Sequence, residues 1–262
     1  MDYLFDNWDN LKEDLTNRHI FLFLDYDGTL TPIVESPDKA VISEEARNLL
    51  KGLSTMPGCD VGIISGRALK DIKRMVGLED IIYAGNHGLE IEVPKIRFES
   101  QISPESLSIM RDVKERLSIG LSGTEGIFVE DKEIILSIHY RLASQSSYLL
   151  AKKMIEEIIQ PFLVRGKIKV SYGKRVMEIK PPVEWDKGRA VEWILGQVLK
   201  EKPILPIYLG DDVTDEDVFV ALKDKGLTIY IGKPRESQAR YYLRDTREVF
   251  EFLEKVLGLC QN

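Results

Sequence analysis

Apolar residues run unbroken from Ile20 to Leu24, and polar residues return abruptly with Asp25, Asp27 and Gly28. Five consecutive apolar positions are too few for a membrane span and fit a strand buried on both faces of a parallel sheet. The pattern recurs. Asp60–Ser65 predicts a second buried strand, Ile81–Ala84 a third and Pro206–Gly210 a fourth. Each closes on polar residues: Ser65-Gly66-Arg67, Gly85-Asn86-His87-Gly88 and Asp211-Asp212. Between the strands, apolar positions at helical spacing predict helices through Trp8, Leu11 and Leu15, and through Leu49, Leu50 and Leu53 behind an N-capping Ser43. Others carry Leu69, Ile72 and Met75–Val76, cover about 187–200, and carry Val218, Phe219 and Leu222. A strand Leu227–Ile231 and helical segments near 235–243 and 246–258 complete the chain. Strands alternating with helices imply parallel βαβ units, hence an α/β fold.

Near residue 93 the rhythm changes. Ser103-Pro104 opens a helix with Leu107, Met110, Val113 and Leu117 on one face, and a second helix over about 146–160 is expected to end at Pro161. Each is followed by a hairpin. Gly126–Glu130 pairs with Glu133–Arg141 across Asp131-Lys132, and Lys167–Tyr172 with Val176–Lys180 across Gly173-Lys174-Arg175. This reads as an inserted α+β cap over 93–180, with the α/β core made of 1–92 and 181–262.

At 262 residues the chain is long enough for such a core and insert. Its net charge of −7, with Lys and Arg scattered among acids, argues against nucleic acid as a partner. The two cysteines, Cys59 and Cys260, have no disulfide or metal-site spacing, which fits a reducing cytosol. Neither a signal peptide nor a membrane span is evident, so a cytoplasmic monomer is expected.

The chemistry gathers at the strand ends. An acidic turn that merely stops a strand explains one Asp before a Gly, not a strand delivering both Asp25 and Asp27 with Thr29 behind them. Ligands of open α/β sheets bind beyond the carboxyl ends of the strands. Acids from separate strands can hold one hard cation, and Mg²⁺ takes carboxylates, water and phosphate oxygens. A carboxylate beside it can attack phosphorus, and a neighbouring acid can protonate the departing oxygen. A Ser hydroxyl and a Lys ammonium suit the remaining task of positioning and charge neutralisation.

The segment Asp25-Tyr-Asp-Gly-Thr29 resembles the first motif of the haloacid-dehalogenase (HAD) superfamily. Ser65, Lys187 and Asp211 match the later motifs in order. The resemblance implies a Rossmann-like parallel-sheet HAD core with Asp25 as nucleophile, Asp27 as general acid/base, and Ser65 and Lys187 holding phosphate. It also implies Mg²⁺ on the Asp25 side chain, the Asp27 carbonyl and Asp211, supported by Asp212 and Asp215. Leu24–Pro32, Gly85–Glu90, Glu184–Gly188 and Gly210–Asp217, with the cap words Val129–Lys132 and His139–Arg141, are similar to the trehalose-6-phosphate phosphatase family. That implies release of phosphate from trehalose 6-phosphate. The alternatives are another glycosyl phosphate, of glucosylglycerol or mannosylglycerate type, or a sugar-phosphate sensor without turnover. A disaccharide is selected through its hydroxyls by buried charged groups. The candidates are Glu130, Lys132, Arg141, Lys174 and Glu178, with Arg67, Asn86 and His87 on the core.

Overall fold

The computed structural model describes residues 1–34, 39–94, 96–98, 102–173, 175–198 and 203–260. The chain divides into two compact units, Met1–Glu99 with Trp185–Asn262, and Ser100–Glu184. In chain order, the first unit contains β1 (Asp2–Tyr3), α1 (Trp8–Asn17), β2 (His19–Leu24), α2 (Glu44–Ser54), β3 (Cys59–Ile64), α3 (Leu69–Val76), β4 (Ile82–Gly85), β5 (Glu90–Val93) and β6 (Ile96–Arg97). The second holds α4 (Pro104–Gly120), β7 (Phe128–Asp131), β8 (Leu136–His139), α5 (Gln145–Val164), β9 (Lys169–Gly173) and β10 (Val176–Lys180). The chain returns to the first unit with α6 (Lys187–Gln197), β11 (Ile204–Gly210), α7 (Glu216–Leu222), β12 (Leu227–Ile231), β13 (Tyr241–Leu243) and α8 (Thr246–Cys260).

The sheet of the first unit runs β1-β13-β12-β11-β2-β3-β4-β5-β6 and is parallel from β1 to β4. Ile20 to Leu24 are each at most 1% exposed because helices cover both faces. Ile20, Leu22 and Leu24 pack with Leu50, Ile72 and Phe252 of α2, α3 and α8. Phe21 and Phe23 pack with Ala190, Val191 and Phe219 of α6 and α7. Burying one such side chain stabilises the fold by about 1.5–3 kcal/mol, so this strand anchors both halves of the core. β2 lies between β3 and β11, with Leu24 beside Ile63 and Leu209, where the strand order reverses. Such a switch point opens a crevice at the carboxyl ends of the strands. Among the described residues no helix is long and apolar enough to cross a membrane.

Several boundaries differ from the sequence expectation. No helix forms near 235–243. Tyr241–Leu243 is instead a strand, buried at Tyr241 and Leu243 and paired with both β12 and β1. The sheet also continues past β4 through the antiparallel β5 and β6, where Ile91 and Val93 alternate inward with exposed Glu92. In the second unit α5 runs through Pro161 to Val164. Phe162 and Leu163 pack on that unit's core and hold the last turn, while Pro161 itself is exposed. The link between β7 and β8 is the four residues 132–135, closed by Lys132 N–H donating to the Ile135 carbonyl at 3.0 Å. The sheet of this unit is antiparallel, in the order β7-β8-β10-β9.

Candidate functional site

The turn after β2 is tightly bonded. The Asp25 N–H donates to the Leu209 carbonyl at 2.9 Å, Leu30 and Thr31 N–H to the Tyr26 carbonyl at 3.0 Å, and Gly28 N–H to Thr31 at 2.7 Å. Gly28 sits at φ +94°, and a Cβ there would fall on the Asp211 carboxylate, so only glycine lets the turn lie against that acid. Asp25 and Asp211 are buried, at 5% and 6% exposure. The Thr29 hydroxyl, also buried, makes no hydrogen bond among the described residues.

Lys187 is the first residue of α6, set by Asp186, whose side chain accepts from Arg189 N–H as the N-cap. Its Nζ donates to Asp25 Oδ1 and to Asp215 Oδ1, both at 2.7 Å. The Tyr208 hydroxyl donates to the same Asp215 oxygen at 2.6 Å, and Asp212 N–H to the other at 2.9 Å. Burial drives the Asp25 carboxyl well above the usual carboxylate range; Lys187 opposes this, and Asp215 and Asp211 reinforce it. Burial also pulls on the Lys187 ammonium, but Asp215, Asp25 and Tyr208 outweigh it and hold it well above its ordinary value. Burial first, and then Asp215, keeps the Tyr208 phenol protonated far beyond its usual range.

Oxygens of Asp25, Asp211 and Asp215 lie within 4.8 Å of one another. Among the described residues, Lys187 is shared by Asp25 and Asp215, and Asp211 lies beside them, so negative charge is concentrated in a buried place. A hard divalent cation fits both that charge and the all-oxygen donor set.

The end of β3 supplies Ser65, 1% exposed, whose N–H donates to the Ala84 carbonyl at 2.8 Å and whose Oγ accepts from Arg67 N–H at 3.2 Å. Arg67 is held on Asp27 by a two-pronged ion pair, Nε to Oδ2 at 2.7 Å and Nη2 to Oδ1 at 2.6 Å, with its guanidinium over the Tyr26 ring. The loop after β4 carries Asn86 at φ +50° and His87 at φ +56°. Left-handed backbone is uncommon even for Asn and His, which tolerate it better than most residues, so two in succession need support. It comes from Asn86 N–H to the Arg67 carbonyl (2.7 Å), His87 N–H to the Ser65 carbonyl (2.9 Å) and Asn86 Nδ2 to Glu90 Oε2 (2.6 Å).

In the second unit, Glu130, Ser137 and Glu178 occupy one register across β7, β8 and β10. Their neighbours Val129, Ile138 and Met177 pack toward the helices, so alternation turns this row to the other face. Lys132 Nζ and Ser137 Oγ both donate to Glu178 Oε1 at 3.3 Å, and Lys132 and Glu178 are only 8% and 9% exposed. Glu130 Oε2 lies 2.8 Å from His139 Nε2. Arg141 is exposed, two residues past β8, and Lys174 lies outside the described residues.

The structure thus gathers Asp25, Asp211, Asp215 and Lys187 in one group, Asp27 with Arg67, Ser65 with Asn86 and His87, and Glu130, Lys132 and Glu178 on one sheet face. Sequence reading missed Tyr208, Glu90, Trp185 and Ser137. Tyr208 had a usable signal: a lone phenol in a buried aliphatic strand needs a hydrogen-bond partner.

A family model described as trehalose-phosphatase matches residues 23–247. Trehalose 6-phosphate phosphatase RA3 of Zea mays is 34% identical over 257 residues, covering 91% of this chain and 70% of the relative. Trehalose-phosphate phosphatase B of Arabidopsis thaliana is 32% identical over 266 residues, covering 95% and 70%. Among solved structures, the C-terminal domain of Candida albicans trehalose-6-phosphate phosphatase superposes with a TM-score of 0.81 at 25% identity, covering 96% of this chain and 97% of that one. A trehalose-6-phosphate phosphatase related protein gives 0.78 at 28% identity, covering 91% and 97%.

Proposed function

The chain belongs to the trehalose-phosphatase family, and from that premise we propose that it is a Mg²⁺-dependent phosphoric monoester hydrolase acting on trehalose 6-phosphate. The observation that carries this reading is the buried group in which Lys187 bridges Asp25 and Asp215 beside Asp211.

An Asp25 oxygen attacks phosphorus while the bond to the sugar oxygen breaks, giving trehalose and an aspartyl phosphate. Asp27 gives a proton to the leaving oxygen, then takes one from the water that attacks phosphorus. That second attack releases inorganic phosphate and restores Asp25. Lys187 and the Ser65 hydroxyl hold the phosphoryl oxygens throughout. Arg67 aims Asp27, since both oxygens of that carboxylate rest on its guanidinium. The Asp25 side chain, the Asp27 carbonyl and Asp211 would hold the cation, which when bound neutralises charge on the phosphoryl group. Asp215 and Asp212 support that arrangement, Asp215 by fixing Lys187.

Sugar recognition falls to Glu130, Lys132, Arg141, Lys174 and Glu178, with Asn86 and His87 as core-side contacts. A buried Lys132–Glu178 pair presents charged groups to hydroxyls, and a sugar lacking those hydroxyls leaves them unsatisfied. The test is phosphate release from a panel of trehalose 6-phosphate, glucosylglycerol phosphate, mannosylglycerate-type phosphate and simple hexose phosphates, with and without Mg²⁺. Turnover confined to trehalose 6-phosphate and dependent on Mg²⁺ is expected. Comparable turnover of hexose phosphates would overturn the disaccharide assignment.

A further inference from the structure

The loop after β4 joins two parts of the core that come from distant stretches of chain. On one side its backbone is tied to the Ser65 turn, with His87 N–H on the Ser65 carbonyl at 2.9 Å and Asn86 N–H on the Arg67 carbonyl at 2.7 Å. On the other side the Trp185 indole N–H donates to the Gly88 carbonyl at 2.6 Å, two residues before Lys187. Gly88 is at φ +91°, and a Cβ there would overlap the Ala190 methyl of α6, so the loop rests directly on the helix that carries Lys187. Glu90 closes the loop from behind, accepting from Asn86 Nδ2 at 2.6 Å and from Leu69 N–H, the first residue of α3, at 3.3 Å.

Two successive left-handed residues other than glycine, Asn86 and His87, are held here by bonds at both ends. Backbone strain of this kind persists where the surroundings over-determine it, and it collects where geometry matters to function. The loop is thus bonded on one side to the turn that carries Ser65 and rests on the other against the helix that starts at Lys187.

We propose that this loop is a bracket setting Ser65 against Lys187 for phosphate binding, with Trp185 and Glu90 as the positioning residues that fasten it. Neither touches the reacting atoms. Both act by fixing the loop, Trp185 through the Gly88 carbonyl and Glu90 through Asn86. The proposal rests on the reading of Ser65 and Lys187 as the phosphate-holding pair.

The test uses the full chain with Mg²⁺ and two variants. Trp185→Phe removes the indole N–H and keeps an aromatic ring beside Phe98. Glu90→Gln removes the charge that holds Asn86. For each, inorganic phosphate binding is measured by calorimetry on folded protein, and kcat and KM are measured on trehalose 6-phosphate. Phosphate binding weaker by about tenfold and kcat lower by about 10- to 100-fold are expected, the scale on which small misplacements act. A merely structural role lowers Tm and the folded fraction but leaves the phosphate Kd of the folded molecules untouched. Wild-type phosphate affinity in either folded variant overturns the bracket, and if one variant does not fold the other decides.

The two readings fail separately. If the wild type turns over no sugar phosphate but binds inorganic phosphate, and the variants lose that binding, the bracket stands and the phosphatase reading falls. If the wild type turns over substrate and either folded variant binds phosphate normally, the bracket alone falls. A wild type that binds no phosphate at all sinks both.

Discussion

Replacing Lys187 with Met tests the buried charge group most directly. The Lys187 side chain is 3% exposed, and its partners Asp25 and Asp215 are 8% and 0% exposed. Removing one partner of a buried ion pair strands the other charge and costs about 3–5 kcal/mol. At about 2–4 °C per kcal/mol for a domain of this size, Tm of Lys187→Met should fall by about 6–20 °C at neutral pH without metal. The deficit should also depend on pH, with a definite sign. Burial and the neighbouring acids already raise Asp25 above its unfolded value, and loss of the ammonium raises it further. A carboxyl raised in the folded state contributes stability that is present at low pH and is lost as pH rises through the folded value. The gap between variant and wild type should therefore be smaller at pH values where Asp25 is protonated in both folded proteins and widen as pH rises through the wild-type folded value. Thermal unfolding of both proteins in chelator across that range measures it. Equal Tm at pH 7.5, or a deficit that does not change with pH, refutes the view that Lys187 neutralises the strand-end acids.

Adding Mg²⁺ to the metal-free protein at neutral pH should release protons, because a divalent charge beside Asp25 reverses the burial effect that raises it; a calorimetric heat that is the same in buffers of different ionisation enthalpy contradicts this. Arg67→Ala should cost about 1 kcal/mol or less, since the Asp27 side chain is 42% exposed and the pair is screened by solvent. Its kcat should nevertheless fall by about tenfold or more as Asp27 loses its aim, and a wild-type kcat removes Arg67 from the mechanism. Glu178→Ala should raise KM for trehalose 6-phosphate with a smaller effect on kcat, the pattern for a contact made equally in ground and transition states. Unchanged values return Glu178 to a structural partner of Lys132.

What could be read from the chain was what local chemistry decides. Apolar runs closing on polar residues marked β2, β3, β4 and β11, because strands covered on both faces have no polar face to interrupt the run. Ser43 and Ser103 announced helix starts, and both side chains accept from the backbone N–H three residues on, at 3.1 Å. What escaped was decided by partners far away in sequence. Tyr241–Leu243 is a strand because β12 and β1 flank it, and three residues carry no period of their own. Arg67 reads from the sequence as a core-side candidate, and only the fold shows its guanidinium set on Asp27, forty residues earlier. Asp215 reads from the sequence as a supporting acid beside Asp211, and only the fold shows its oxygens accepting from Lys187, Tyr208 and the Asp212 N–H.

That last arrangement bears on why the group exists at all. A buried ion cluster is a poor device for stability, since apolar side chains of similar volume usually do as well or better. Here three buried carboxylates are crowded together, with Lys187 on two of them and the Tyr208 hydroxyl spent on Asp215 rather than on a neutral partner. Such crowding of carboxylate oxygens suits a site that takes up a hard cation. Lys187 is shared between Asp25 and Asp215, so it satisfies neither acid alone, and Asp25 stays both desolvated and close to Asp211. On the proposed reading, a cation that offset this charge would leave the Asp25 carboxylate reactive, and phosphoryl transfer would then depend on metal loading.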